Sequence, residues 1–293
     1  MRSQTGSSHH FDSGSLSIRR VGCVQSLPIL ALGKPGDKVA ISRTAHRSVL
    51  SALVLAGLEP IWMNPEIDSA TGVPLGIAVA ELEKALAEKP IAILLTEPGY
   101  LGTISDLPAL IKVAHQQKVP VILDAAWGGH FGFHPQLPQH AFQMGADALI
   151  TSTHKALPGY SASALLLART ELLSAERLEQ SFETTHTTSP AGAPLASIDG
   201  VRALLQTRGE ELLGQLLENI HRFKETVQAE FALPIFLYPS DFPAGRFDPS
   251  KLVLRVQQLG ASGVEIEEDL QREGIRVEMA DRDTIVFLAT IAD

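Results

Sequence analysis

The sequence predicts an α/β fold: a mainly parallel open sheet with helices on both faces, followed by an incomplete, small C-terminal α/β unit. Three observations predict it. Between positions 38 and 168, short apolar runs alternate with longer amphipathic stretches. Several of those runs lack polar alternation, as strands covered on both faces require. The amphipathic stretches between them have helical spacing, which gives the rhythm of βαβ units.

The strand-like runs are 38–42, 60–64, 91–96, 119–124, 148–152 and 162–168, and helix-like segments lie near 46–57, 76–88, 106–118 and 136–145. Asp106 just ahead of Leu107-Pro108 is a good helix start, because a capping carboxylate precedes a proline whose missing N–H is not needed there. Pro28 is expected to strain its surroundings if it lies in a helix interior. After 170 the character changes. Segments 170–183 and 209–231 read as helices separated by a run, 184–198, rich in Thr, Ser, Pro and Ala. From 234 on, strands at 234–238, 251–257 and 284–290 surround one helix at 263–273. The expected organisation is a divergent or disordered segment 1–30, a major domain 31–208, and a connecting helix with a partial small α/β domain over 209–293.

Composition narrows the function classes. Of 293 residues, 45% are hydrophobic and 19% charged, an ordinary globular balance, and the formal net charge of -9 argues against a nucleic-acid partner. No apolar run approaches the roughly 18 residues of a membrane span, and the polar start lacks the apolar middle of a secretory signal. The one cysteine, Cys23, rules out an internal disulfide and fits a reducing, cytoplasmic setting. His130 and His134 have no clear third partner, so no metal site is expected. Gly33-Lys34-Pro35-Gly36-Asp37-Lys38 lacks the spacing of a phosphate-binding loop and reads as a turn before a strand.

In an open parallel sheet, ligands sit beyond the carboxyl ends of the strands. One strand ends at Asp124, ahead of Ala125-Ala126-Trp127-Gly128-Gly129-His130; another runs into Ser152-Thr153-His154-Lys155. An acid and an amine facing one cleft suit carbanion chemistry on pyridoxal 5'-phosphate (PLP). The lysine would form a Schiff base with the cofactor, and the carboxylate would keep its pyridine nitrogen protonated. On residue type alone a second reading stays open, in which Asp124 caps a turn and Lys155 is a solvated loop residue. For His46 the corresponding alternative is a helix cap.

Four ordered motifs carry a resemblance. They are Pro35-Gly36-Asp37-Lys38 with Arg43-Thr44-Ala45-His46-Arg47-Ser48; Thr96-Glu97-Pro98-Gly99-Tyr100-Leu101-Gly102 with Asp106; Asp124-Ala125-Ala126-Trp127; and Ser152-Thr153-His154-Lys155-Ala156-Leu157. A fifth, weaker motif is Thr187-Thr188-Ser189-Pro190. Together they resemble the major domain of the Orn/Lys/Arg decarboxylases, PLP enzymes of the aspartate-aminotransferase fold. The resemblance implies decarboxylation of arginine, lysine or ornithine to the corresponding amine. It implies Lys155 as the Schiff-base lysine, Asp124 as partner of the pyridine nitrogen, His46 over the ring and Ala126 beneath it. Ser152 and His154 would contact the phosphate or position Lys155. It also implies a homodimer or larger homo-oligomer. The family's Asn-Gly-Ser/Thr phosphate segment has no counterpart in Arg20-Val21-Gly22-Cys23-Val24-Gln25-Ser26-Leu27-Pro28. The chain resembles a family member shortened at both ends, which motivates a second expectation, a catalytically silent PLP-fold protein. An aldolase or aminotransferase reaction of the same fold is a third.

Overall fold

The computed structural model describes residues 17–22, 27–161, 163–185 and 191–293. In chain order the first elements are β1 (Ser17–Gly22), α1 (Leu27–Leu32), β2 (Lys38–Ser42), α2 (Arg47–Ala56), β3 (Glu59–Met63), β4 (Glu66–Ile67), β5 (Pro74–Gly76) and α3 (Val79–Ala87). Next come β6 (Ile93–Thr96), α4 (Leu107–Gln116), β7 (Val121–Asp124), β8 (Ala148–Ser152) and β9 (Ser163–Ala168). The chain continues through α5 (Ala175–Thr185), α6 (Gly192–Gln228), β10 (Leu252–Arg255), α7 (Gly263–Arg272), β11 (Met279–Ala280) and β12 (Thr284–Phe287).

The main sheet has seven strands in the order β1-β9-β8-β7-β6-β2-β3. Strands β3, β2, β6, β7 and β8 run parallel, whereas β9 is antiparallel to both β8 and β1. Side chains alternate across this sheet with period two. Ile93 and Leu95 of β6, with Val121 and Leu123 of β7, join α3 and α4 on one face. Leu94 and Ile122 join α1, α2 and α5 on the other. Both faces are therefore dry, which is why these strands read as continuous apolar runs.

Helix α2 is bounded at both ends. His46 caps its start, its Nδ1 accepting from the Ser48 backbone N–H at 3.2 Å, and Gly57 (φ 67°) closes its end by donating to the carbonyls of Leu53 and Val54. Only glycine takes that left-handed conformation without penalty.

A second sheet, β10-β12-β11, packs with α7 at the C-terminal end. Five sequence expectations change here. The segment 136–145 forms turns rather than a helix: Gln143, Met144 and Gly145 donate to the carbonyls three residues back, and the Pro138 carbonyl accepts from Gly132 instead of from a following turn. The stretch 234–238 makes only an isolated bridge from Phe236 to Leu254. Helix α6 begins at Gly192 instead of 209; Pro194 falls in its first turn, where proline is tolerated. It passes without a break through positions 208 and 209. Pro28 likewise falls in the first turn of α1, so the feared interior strain does not arise. Within the segment 1–30, residues 17–22 form β1 in register with β9. Cys23 and the Thr187–Pro190 motif lie outside the described residues.

Candidate active site

The carboxyl ends of β2, β6, β7 and β8 open on one cleft of about 340 Å³. Its wall takes Thr44 and His46 after β2, Thr96 from β6, Asp124 from the end of β7 with Ala126 and Trp127 just after it, and His154 and Lys155 after β8. The parallel register sets this meeting, since Thr96 pairs with Asp124 and Asp124 with Ile150 at the strand ends. Of the residues anticipated from sequence, His46, Asp124, Ala126, His154 and Lys155 come together in the cleft. Ser152 does not line it; it ends β8 as a buried residue, with its carbonyl against Gly129.

Asp124 is buried, 2% exposed, and its Oδ1 accepts from the Ala126 N–H at 3.2 Å. Burial pushes its carboxyl above the usual range, while the Ala126 N–H, Lys155 and His46 act the other way. Burial likewise lowers the Lys155 amine, opposed by the charges of Asp124 and Glu278. Asp124 thus does close a turn, and Lys155 is half-buried rather than solvated. His154 Nδ1 lies 2.8 Å from the Ser163 carbonyl, so that nitrogen carries the proton. The Thr96 hydroxyl is buried and has no hydrogen-bond partner among the described residues.

The C-terminal unit contributes residues that sequence reasoning missed. Glu278 lines the cleft and accepts from the Tyr100 hydroxyl at 2.6 Å. Burial, with Glu278 alongside, holds that hydroxyl protonated well beyond its ordinary range. Tyr100 stands edge-on to Trp127, with ring centres 5.5 Å apart. Lys155 Nζ lies 4.8 Å from the Trp127 ring centre and Lys251 Nζ 3.9 Å from it. Lys251 is fixed from behind by a buried network. Asp248 Oδ1 accepts from the Ser250 N–H (2.9 Å) and hydroxyl (2.6 Å), and the His130 ring lies 2.9 Å from that hydroxyl. Lys224 of α6 donates to the carbonyls of Leu237 and Lys251. The start of a strand after Asp248-Pro249-Ser250 was the available sequence signal for Lys251; Glu278 had none. Among the described residues, no three His, Cys, Asp or Glu side chains converge as metal ligands, and no helix is long and apolar enough to cross a membrane.

The architecture and this cleft define an aminotransferase-type α/β protein. Constitutive lysine decarboxylase from Escherichia coli superposes with a TM-score of 0.77 at 21% identity, covering 94% of this chain and 46% of that one. Alanine–glyoxylate aminotransferase from Nostoc gives 0.68 at 16% identity, covering 93% and 76%. In sequence, arginine decarboxylase from Bacillus subtilis is 34% identical over 273 residues, 90% of this chain and 55% of that protein. The profile described as Orn/Lys/Arg decarboxylase, major domain, matches residues 22–242. The chain belongs to the Orn/Lys/Arg decarboxylase family. It spans about 55% of the length of that Bacillus relative.

Proposed function

We propose that this protein is a PLP-dependent decarboxylase of a basic amino acid, arginine, lysine or ornithine, releasing the corresponding amine and CO2. The observation that supports it best is the meeting of Asp124, His46 and Lys155, from three different strand ends, in one cleft. The residues fit PLP. A buried carboxylate is available to a ring nitrogen, Ala126 leaves space where a larger side chain would obstruct a flat ring, and the Thr96 hydroxyl is an unused polar group in the wall.

PLP, when bound, supplies an electron sink for the bond broken at the substrate Cα. Lys155 is the residue of covalent attachment, and burial favours the neutral amine needed for attack. Asp124 would hold a proton on the pyridine nitrogen. His46, at the N-terminus of α2, would hold the ring, and His154 braces the loop that carries Lys155. Glu278 places a negative charge in the cleft, which suits a substrate with a second cationic group. Once CO2 has left, the Lys155 ammonium is placed to return a proton to Cα.

A homodimer or larger assembly is part of this proposal. The outward face of α2, beginning at His46, leaves Val54 81% and Leu55 76% exposed, in keeping with a partner surface. A cytoplasmic setting and a division in which α6 connects the major and C-terminal units complete it.

The test is to incubate the protein with PLP, reduce with borohydride and map the adduct, then assay CO2 release from the three amino acids. A mass increment confined to Lys155 and lost in Lys155→Ala, with CO2 from at least one of the three, is expected. The absence of a family-type phosphate segment favours the second reading, a catalytically silent protein, which predicts neither. Amine transfer to a keto acid without CO2 would point to an aminotransferase.

A further inference from the structure

Lys251, packed on Trp127 beside the cleft, is the least expected residue of this region. Its stem passes against Gly102 (φ 96°), where an added Cβ would lie 2.7 Å from Lys251 Cγ. Its carbonyl is held by Lys224 at 2.9 Å, so both ends of the residue are constrained. The residue is 6% exposed, yet its ammonium makes no hydrogen bond or ion pair within 4 Å among the described residues. It lies instead against aromatic faces, 3.9 Å from the centre of Trp127 and 5.7 Å from that of Tyr100. Lys155 points at the same Trp127 ring. The two ammonium nitrogens are therefore within about a Debye length, roughly 10 Å at 0.1 M salt.

We propose that Lys251 is a positioning residue for Lys155: the two ammonium groups share Trp127 and repel one another, so the Lys155 amine is freed for attack at lower pH than it would be alone. That Lys155 is the attacking amine rests on the proposed function. A neighbouring cation is an established way of activating a lysine nucleophile. The groups facing the pair are Asp124 at the end of β7, Glu278 and Tyr100 at the mouth, His46 and His154 at the rim, and Asp248 with His130 beneath Lys251. Burial is the largest influence on Lys251 and brings it down to about 8; Asp248 and Glu278 hold it up, and Lys155 pushes it down. The same Coulomb repulsion acts in both directions between the two amines.

Trace acetylation of the cofactor-free protein across a range of pH, read lysine by lysine by mass spectrometry, tests this. Lys251→Met keeps the stem on Trp127 and removes the charge. The expected result is a Lys155 labelling curve moved to higher pH, with its rate near neutrality reduced about threefold or more. Lys251→Arg, which restores a cation, should bring the curve back toward wild type. An unmoved Lys155 curve in a folded Lys251→Met protein overturns the proposal. If that variant does not fold, Lys155→Met serves in its place: the Lys251 curve should rise, and an unmoved curve is equally fatal. Failure of wild-type protein to capture PLP would remove the proposed function and leave this comparison intact.

Discussion

Tyr100 donates its hydroxyl to Glu278 at 2.6 Å, joining residues 178 positions apart. One side stands beyond the end of β6 in the main sheet, the other just before β11 in the C-terminal unit. The bond closes one side of the cleft.

Tyr100→Phe removes that bond and keeps the ring against Trp127. A single hydrogen bond of this kind is worth about 1 kcal/mol, so thermal unfolding should change little. The KM for a basic substrate should rise several-fold while PLP capture persists. An unchanged KM would mean the bond has no part in forming the site.

Glu97, just beyond β6, is buried at 5% exposure and paired with the Ser105 N–H and hydroxyl. Burial raises its carboxyl to about 7, against the pull of Ser105 and Arg246. Because the folded value exceeds the unfolded one, the protonated group's stabilisation is complete below the unfolded value of 4.5 and is lost as pH rises through about 7. The change should be of order 3 kcal/mol. Glu97→Gln, which can keep the Ser105 contacts, should flatten that decline in urea titrations across the same window. A parallel decline in both proteins would refute the assignment.

Gly159 closes the loop that carries Lys155, donating to the Thr153 carbonyl at 2.6 Å. A Cβ there would fall on that same carbonyl, and backbone cannot yield as a side-chain tip can. Gly159→Ala should therefore displace residues 153–159 and slow PLP attachment about tenfold or more, with a smaller effect on urea stability. Attachment at the wild-type rate would show that the loop adapts.

Strands β6, β7 and β8 of the main sheet were legible because they are buried on both faces and carry uninterrupted apolar runs, whereas β1, Ser17–Gly22, carries two arginines and no such run. Asp124 and Lys155 stand at two strand ends of one parallel sheet, but residue type alone leaves them open to a turn-capping and a solvated-loop reading. It is the ordered motifs around them, through the family resemblance, that single out the pair. The segment 136–145 misled because its apolar spacing suits a helix, while its backbone closes in successive three-residue turns over 140–145. The start of α6 was hidden behind Gly192 and Pro194, residues that read as loop unless their place in a first turn is known. Glu278 could not be found from local pattern, and Lys251 only as the start of a strand. Both precede strands of the second sheet, and only tertiary packing sets Lys251 on Trp127 and Glu278 on Tyr100.

His46 is both a helix cap and a wall of the cleft, and this fixes its tautomer. The Ser48 backbone N–H can only donate, so His46 Nδ1 must offer a lone pair and the neutral ring carries its hydrogen on Nε2. Whatever the cleft accommodates meets an imidazole whose hydrogen-bonding polarity was chosen by the peptide backbone of α2. A ligand requiring the opposite tautomer would have to unfasten the first turn of that helix to obtain it.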